Sequence, residues 1–207
     1  MKKLLVILCF FFLVDANAQH VIIPHSSLEA FLGASYFKTT HYSGPPQSGW
    51  GFAFNTRYNF EKNRKMSKHV GLHFYSLNTK EQYLNGPEIM RADYASVDAR
   101  VGLWPGKKVA FLIGVYYAYA YNYDFEGIFW PKDAASDYQR HDFGFNFEIR
   151  IHPKPYDGVI LTLGLNAGII PYFTNYYGLS SSNKNPITRN ALFISAGYPI
   201  FKRPKKN

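Results

Sequence analysis

Two stretches of this chain constrain its fold more than anything else in it. Trp50 to Phe60 reads W-G-F-A-F-N-T-R-Y-N-F, and Asp142 to His152 reads D-F-G-F-N-F-E-I-R-I-H. Large apolar residues fall at every second position. A period of two belongs to a β-strand, whose successive side chains point to opposite faces; an amphipathic helix repeats its apolar residues at three and four. Similar runs recur near 28–37, 69–77, 94–104, 109–122, 159–172 and 190–201, so that eight strands are predicted, near 28–37, 49–60, 69–77, 94–104, 109–122, 140–152, 159–172 and 190–201. The first run is the weakest, because Ser26-Ser27-Leu28-Glu29 has the spacing of a helix capping box, which would place a short helix ahead of the strand.

The predicted connections alternate between long and short. Residues 38–48, 78–93, 123–139 and 173–189 form the long set. The tight ones carry turn residues, Pro105-Gly106-Lys107-Lys108 and Pro153 to Gly158. Long loops at one end and short turns at the other describe an up-and-down barrel, and an even strand number returns both termini to the short-turn end.

Side-chain size decides which face is inside. One face carries Phe52, Phe54, Leu72, Phe74, Ile113, Phe143, Phe145, Phe147, Leu163 and Ile194; the other carries Gly33, Gly71, Gly102, Gly114, Gly164 and Gly197 among most of the polar and charged residues. An eight-stranded barrel is only just wide enough for its own side chains. The bulky face cannot fit there and must point out. No Asp, Glu, Lys or Arg falls on the outward phase of the eight predicted strands, which is what a lipid-facing surface requires. Trp50, Trp104, Tyr36, Tyr119 and Tyr198 lie near strand ends, where aromatic girdles sit at membrane interfaces. The predicted fold is all-β: an eight-stranded antiparallel up-and-down transmembrane β-barrel.

The N-terminus says where such a barrel would go. Met1-Lys2-Lys3 is a basic start, Leu4 to Val14 an unbroken apolar run, and Ala16-Asn17-Ala18 a small-residue cleavage site. That is the pattern of a secretory signal peptide over residues 1–18, and the run is too short to span a bilayer as a helix. Residues 19–201 would then form the barrel and 202–207 a basic periplasmic tail. Cys9, the single cysteine, lies inside the apolar run, so neither a disulfide framework nor a cysteine metal site is expected. The formal charge is +9, with Lys202, Arg203, Lys205 and Lys206 in the last six positions, and an exported protein gives nucleic acid no case.

With these features the chain resembles the OmpA/OmpX-type eight-stranded barrels, and more broadly the outer-membrane β-barrel family of Gram-negative bacteria such as Bacteroidetes. The resemblance rests on the signal, the strand count, the D-F-G-F-N-F-E-I segment and the last strand, A-L-F-I-S-A-G-Y-P-I-F. In that strand Gly197, Tyr198 and Phe201 resemble the C-terminal signal read by the barrel-insertion machinery, although six residues follow Phe201 where a family member often stops. The resemblance implies an architecture and an outer-membrane location. It implies no activity, since this fold hosts pores, adhesins, enzymes and structural proteins.

Threading the strands puts Glu29, Arg57, Asp98, Arg100, Glu148 and Arg150 on the inward face, mostly in the periplasmic half, with Arg100 and Arg150 expected to be held by Asp98, Glu148 and Glu29. Strand 5 offers Gly114, Ala118 and Ala120 inward and leaves room for these long neighbours. Buried charges must be paired, so this lumen ionic network reads as a plug; a gate for small solutes is the alternative. His73 and His152 are expected to fill the lumen. His41-Tyr42-Ser43 has the spacing of a lipid A deacylase pair but lies in a predicted loop with no nearby acid in sequence to orient the histidine. No catalytic residue, cofactor or metal site is therefore expected. Aromatic and polar outer loops, Gln82 to Pro87, Phe125 to Pro131 and Asn175 to Gly178, offer contacts for extracellular protein or glycan, or a cap over the barrel mouth. The expected partners are otherwise outer-membrane lipid and the insertion machinery, and the chain is expected to be a monomer. The function predicted is a non-enzymatic outer-membrane barrel with a structural or surface-interaction role, with a narrow pore as the alternative.

Overall fold

The structure, a computed structural model, describes residues 26–39, 48–63, 66–83, 86–104, 108–126, 140–153, 158–170 and 189–202. The alternating runs form strands β1 (Ser27–Thr39), β2 (Ser48–Asn63), β3 (Met66–Tyr83), β4 (Gly86–Leu103), β5 (Val109–Glu126), β6 (His141–Ile151), β7 (Ile160–Gly168) and β8 (Arg189–Lys202). Each pairs antiparallel with the next, and β1 pairs with β8 to close the barrel. Closure leaves no free sheet edge around the wall, the condition for strands to cross a bilayer. The predicted signal peptide and residues 203–207 of the predicted basic tail lie outside the described residues, as do His41-Tyr42-Ser43 and residues 175–178; Lys202, assigned to the tail, is instead the last residue of β8 and pairs with Ser27.

Exposure follows the predicted phase. Along β6 it alternates from Phe143 to Glu148, with Phe143, Phe145 and Phe147 exposed and Gly144, Asn146 and Glu148 buried. The outward set, including Leu32, Phe52, Val70, Leu72, Phe74, Val97, Ile113, Leu161, Leu163 and Ile194, makes an apolar sleeve that no other described residue covers. A soluble barrel would hide these residues. The architecture is that of the eight-stranded outer-membrane barrels, with apolar side chains out and polar side chains in.

The ends of the sleeve are marked by polar residues. β3 begins earlier than the sequence predicts and carries Lys68 on the outward phase at the end where the termini lie. At the other end Ser76 donates to Asp93 at 2.7 Å, and Asn122 donates to the same carboxylate at 2.9 Å. Lys68 to Ser76 is about 26 Å of strand at ~3.3 Å per residue, or about 20 Å of height at a tilt of ~40°, comparable with the ~25 Å apolar band of a spanning barrel.

Beyond that rim the structure departs from the prediction. Residues 78–83 and 86–93 are not a long loop: β3 and β4 are 18 residues each and stay paired to Tyr83↔Gly86, so that Gln82, Tyr83, Gly86 and Pro87 belong to strands. The alternation fades there because a strand that has left the bilayer no longer needs an apolar outer face. Arg91 instead meets Glu126 at 3.5 Å and Asp124 at 4.0 Å, while Leu77, Met90 and Ala92 remain buried on the inner face. Phe125 and Glu126 belong to β5 rather than to a loop.

Two further expectations are corrected. Ser27 and Glu29 are two residues apart on one face of β1, where the serine hydroxyl donates to Glu29 Oε1 at 2.8 Å. Glu29, which would close a capping box with Ser26, is thus a lumen partner of Ser27 on a strand, not part of a helix start. Trp104 is not part of a girdle. It is buried, its indole donates to Ser67 Oγ at 2.9 Å, and its ring lies 5.1 Å from that of His152. Of the other girdle residues, Trp50 and Tyr198 are exposed, and Tyr36 packs 4.9 Å from Trp50.

Candidate functional site

The inward side chains form two layers. Nearer the termini is an ionic layer containing all six predicted residues, each of them buried. Arg57 Nη1 and Nη2 donate to Glu148 Oε1 and Oε2 at 2.5 and 2.8 Å, a bidentate pair across the lumen from β2 to β6. Arg100 Nη1 donates to Glu148 Oε2, and Arg100 Nη2 donates to Asp98 Oδ2 at 3.0 Å. Glu148 is therefore shared by two guanidiniums. The second group is Arg150, whose Nη2 donates to Glu29 Oε1 at 2.5 Å and whose Nε donates to His152 Nε2 at 2.7 Å.

Arg57, for which no partner was predicted, takes Glu148. Glu148 and Arg150 are neighbours on one face of β6 yet bond to different partners: Glu148 takes Arg57 and Arg100, and Arg150 takes Glu29. A narrow closed lumen brings side chains from different walls together, so that Arg57 of β2 reaches Glu148 of β6 and Arg150 of β6 reaches Glu29 of β1.

Glycines make the room. Gly71 lies opposite Asp98 in the β3–β4 register, and a Cβ there would come within 2.9 Å of the Asp98 carboxylate. Gly197 admits Phe31, since a Cβ would stand 2.2 Å from the phenyl ring. The guanidiniums of Arg57 and Arg150 both lie over the Phe31 ring, at 5.2 and 5.9 Å from its centroid. A cation over an aromatic face is stabilised by the ring quadrupole, so the phenyl favours both buried guanidiniums. His73 Nε2 stands 3.5 Å from Asp98 Oδ2, and both His73 and His152 are buried in the lumen.

The second layer, toward the far mouth, lacked a prediction. Phe37, Tyr75, Leu77, Met90, Tyr94, Tyr116 and Phe193 pack there with Ala53, Ala92, Ala118, Ala120 and Ala191. Tyr75 stacks on Tyr94 at 5.1 Å and meets Phe193 edge-on at the same distance. Below the mouth Tyr116 donates to Asp142 Oδ2 at 2.7 Å, and Arg189 lies over Tyr94 at 5.1 Å. Asp142 and Arg189 were missed as lumen charges, although Asp142 is in phase with Asn146 and Glu148 along β6. With them, the described lumen holds Arg57, Arg100, Arg150 and Arg189 against Glu29, Asp98, Glu148 and Asp142, a balanced set.

Between the layers is a small polar cavity bordered by Asn55, His73, Arg100, Glu148, Asn166 and Ser195, with room for about one water molecule. Its size makes it a gap within a packed interior. Among the described residues no group of three His, Cys, Asp or Glu side chains could hold a metal ion. Of the residues expected to form the insertion signal, Tyr198 and Phe201 are exposed on the outer face of β8 and Gly197 is turned inward against Phe31.

No protein-family model and no curated protein sequence matches the chain. Among solved structures it is similar to Ail, the attachment invasion locus protein of Yersinia pestis, in complex with the heparin analogue sucrose octasulfate, at 16% identity and a TM-score of 0.48 over 84% of this chain and 98% of that one. It is similar to the outer membrane protein OprG from Pseudomonas aeruginosa at 9% identity and a TM-score of 0.46, over 87% and 99%. It is also similar to Neisserial surface protein A at 10% identity and a TM-score of 0.42, over 84% and 97%.

Proposed function

We propose that this chain is a non-enzymatic, closed-lumen protein of the Gram-negative outer membrane, exported by its N-terminal signal and inserted as a monomer, with a structural or surface-interaction role. The observation that carries this reading is the pairing of an uninterrupted apolar sleeve with a filled interior. The sleeve requires lipid. In the interior the six charged residues of the ionic layer bond to one another and are shielded from solvent, which suits a plug and leaves none of them positioned to meet a substrate. The β3–β4 hairpin, rising past the apolar band on the side away from the termini, is the surface such a protein would offer to extracellular protein or glycan.

A narrow pore is the second reading, and the polar cavity beside Arg100 and Glu148 favours it. Planar-bilayer recording of the refolded chain decides between them. The plug predicts a wild-type baseline with rare small openings at most. Steady ion-selective conductance that disappears when Arg57 or Arg100 is neutralised would establish the pore. Location is tested by fractionation: the protein should pellet with the outer membrane, resist carbonate and shift in apparent size on heating. Recovery as a soluble periplasmic monomer would defeat the reading.

A further inference from the structure

β7 and β8 close the lumen on a side that contributes no charge to the ionic layer. Opposite Arg150, Glu148 and Asn146 in the β6–β7 register stand Thr162, Gly164 and Asn166, and Thr162 pairs in turn with Ser195 of β8. These inward residues are short and neutral, and the small polar cavity lies between them and the ionic layer.

Two independent observations point to a ligand there. The first is Gly164, which borders the cavity. A Cβ at Gly33, Gly114, Gly144 or Gly197 would come within 2.0–2.2 Å of a neighbouring atom, so those positions exclude a larger residue. At Gly164 a Cβ would meet only the Phe147 carbonyl oxygen at 3.7 Å, and Glu148 Oε2 and Phe193 Cβ at 3.8 Å, which are ordinary contacts. Alanine fits this position, and protein interiors are close-packed, so the glycine keeps open a space that packing alone would fill.

The second is a set of polar atoms on residues that border the cavity. Asn55 and His73 are each more than nine-tenths buried, yet Asn55 Oδ1 and His73 Nε2 have no hydrogen-bond partner. The Thr162 and Ser195 hydroxyls lie 2.6 Å apart and share one hydrogen, which leaves the other free to donate. A buried polar atom left unmatched carries its full desolvation penalty.

The chemistry of the border selects the occupant. It must be neutral: Glu148 is already matched by Arg57 and Arg100, so an added cation would stand beside Arg100 and an added anion beside Glu148. It must donate to Asn55 Oδ1, accept from the free hydroxyl, and fit a space of about one water molecule. We infer that the cavity is a binding site for a single water molecule, held by Asn55, His73 and the Thr162–Ser195 pair, which joins the neutral β7–β8 wall to the ionic layer. The site rests on the reading of the chain as a closed-lumen barrel, and it adds to that reading a resident ligand.

The test uses the full barrel refolded into lipid nanodiscs, deuterated except at alanine methyls, with magnetisation transfer from water to those methyls read by NMR. A resident water gives the Ala53 methyl, on the cavity border, laboratory-frame and rotating-frame peaks of opposite sign. The Ala120 methyl, in the aromatic layer, should give none. Gly164→Ala puts a methyl in the water's place and should abolish the Ala53 peaks, and Asn55→Leu, which removes the acceptor, should abolish them independently. Because Asn55 Oδ1 is then unmatched, Gly164→Ala should also raise the unfolding constant in urea about fivefold, against the usual gain from replacing glycine. No Ala53 peak in the wild type, or peaks that survive both substitutions, overturns the site. A Gly164→Ala barrel as stable as the wild type or more so overturns it too, since that is what filling a dry gap gives. Peaks of the same sign mean water in transit, which overturns the resident ligand and favours the pore. A heat-shift gel of the same samples separates the two levels: failure to insert defeats the membrane reading and this site with it, while an inserted barrel without the Ala53 peaks defeats the site alone.

Discussion

Glu148→Gln removes the carboxylate on which the ionic layer turns. Glu148 is the only ion-pair partner of Arg57 among the described residues and one of two for Arg100, the other being Asp98. The substitution keeps the shape and one acceptor oxygen but leaves Arg57 buried without a counter-charge. Breaking a buried pair by removing one partner costs about 3–5 kcal/mol. The retained amide oxygen restores one hydrogen bond worth about 1 kcal/mol, so a net loss of about 2–4 kcal/mol is expected. The assay is urea unfolding of the barrel in lipid vesicles, followed by tryptophan fluorescence. The second half of the prediction concerns the partner. Arg57→Met in the Glu148→Gln background should recover at least about half of the loss, because it removes the stranded cation. Arg150→Met in that background should recover nothing, because Arg150 belongs to Glu29 and removing it strands that acid instead. Equal rescue by the two methionines, or a Glu148→Gln cost below about 0.5 kcal/mol, would refute the assignment of partners.

Other consequences follow from the same wall. Phe145→Arg places a cation in mid-sleeve and should cost about 2–4 kcal/mol, whereas Asn146→Ala, one residue along and facing the lumen, should cost less than half as much; equal losses in vesicle unfolding would reverse the strand phase. Gly197→Ala drives a methyl into the Phe31 ring and should cost about 1–3 kcal/mol by overpacking, with Phe31→Leu in the same chain relieving part of it. A neutral Gly197→Ala in that assay would mean that Phe31 does not lean on Gly197.

The parts of this fold that the sequence discloses are those on which lipid imposes a rule. Within the sleeve every outward residue must be apolar and every inward one must fit a narrow lumen, so the contrast of Phe143, Phe145 and Phe147 with Gly144, Asn146 and Glu148 sets the phase of β6 without any structure. Above the rim that rule lapses. Asn78 and Arg91 face outward there as Phe74 and Val97 do below, and the hairpin joining β3 to β4 therefore reads as a loop. The same reasoning divides the site. That Glu29, Arg57, Asp98, Arg100, Glu148 and Arg150 face inward follows from their phase with the glycines. Which acid meets which arginine depends on the stagger of strands across the lumen, and Arg57 and Glu148 are 91 residues apart in the chain. The aromatic layer had a usable signal in the spacing of Tyr116 with Ala118 and Ala120, small residues that leave space for large neighbours. It was obscured by the outward Tyr117, Tyr119 and Tyr121, which make β5 look aromatic on both faces.

The central claim, an apolar sleeve in lipid around a closed interior, is tested most directly by one scan. Single cysteines placed at residues 143, 144, 145, 146 and 147 of the barrel reconstituted in vesicles are labelled with a nitroxide, and collision rates are measured with oxygen and with a water-soluble nickel chelate. The account predicts a period of two: 143, 145 and 147 accessible to oxygen and not to nickel, 144 and 146 accessible to neither. Nickel access at 144 and 146 would mean an open, water-filled lumen, and nickel access at 143, 145 and 147 would mean that the sleeve does not face lipid.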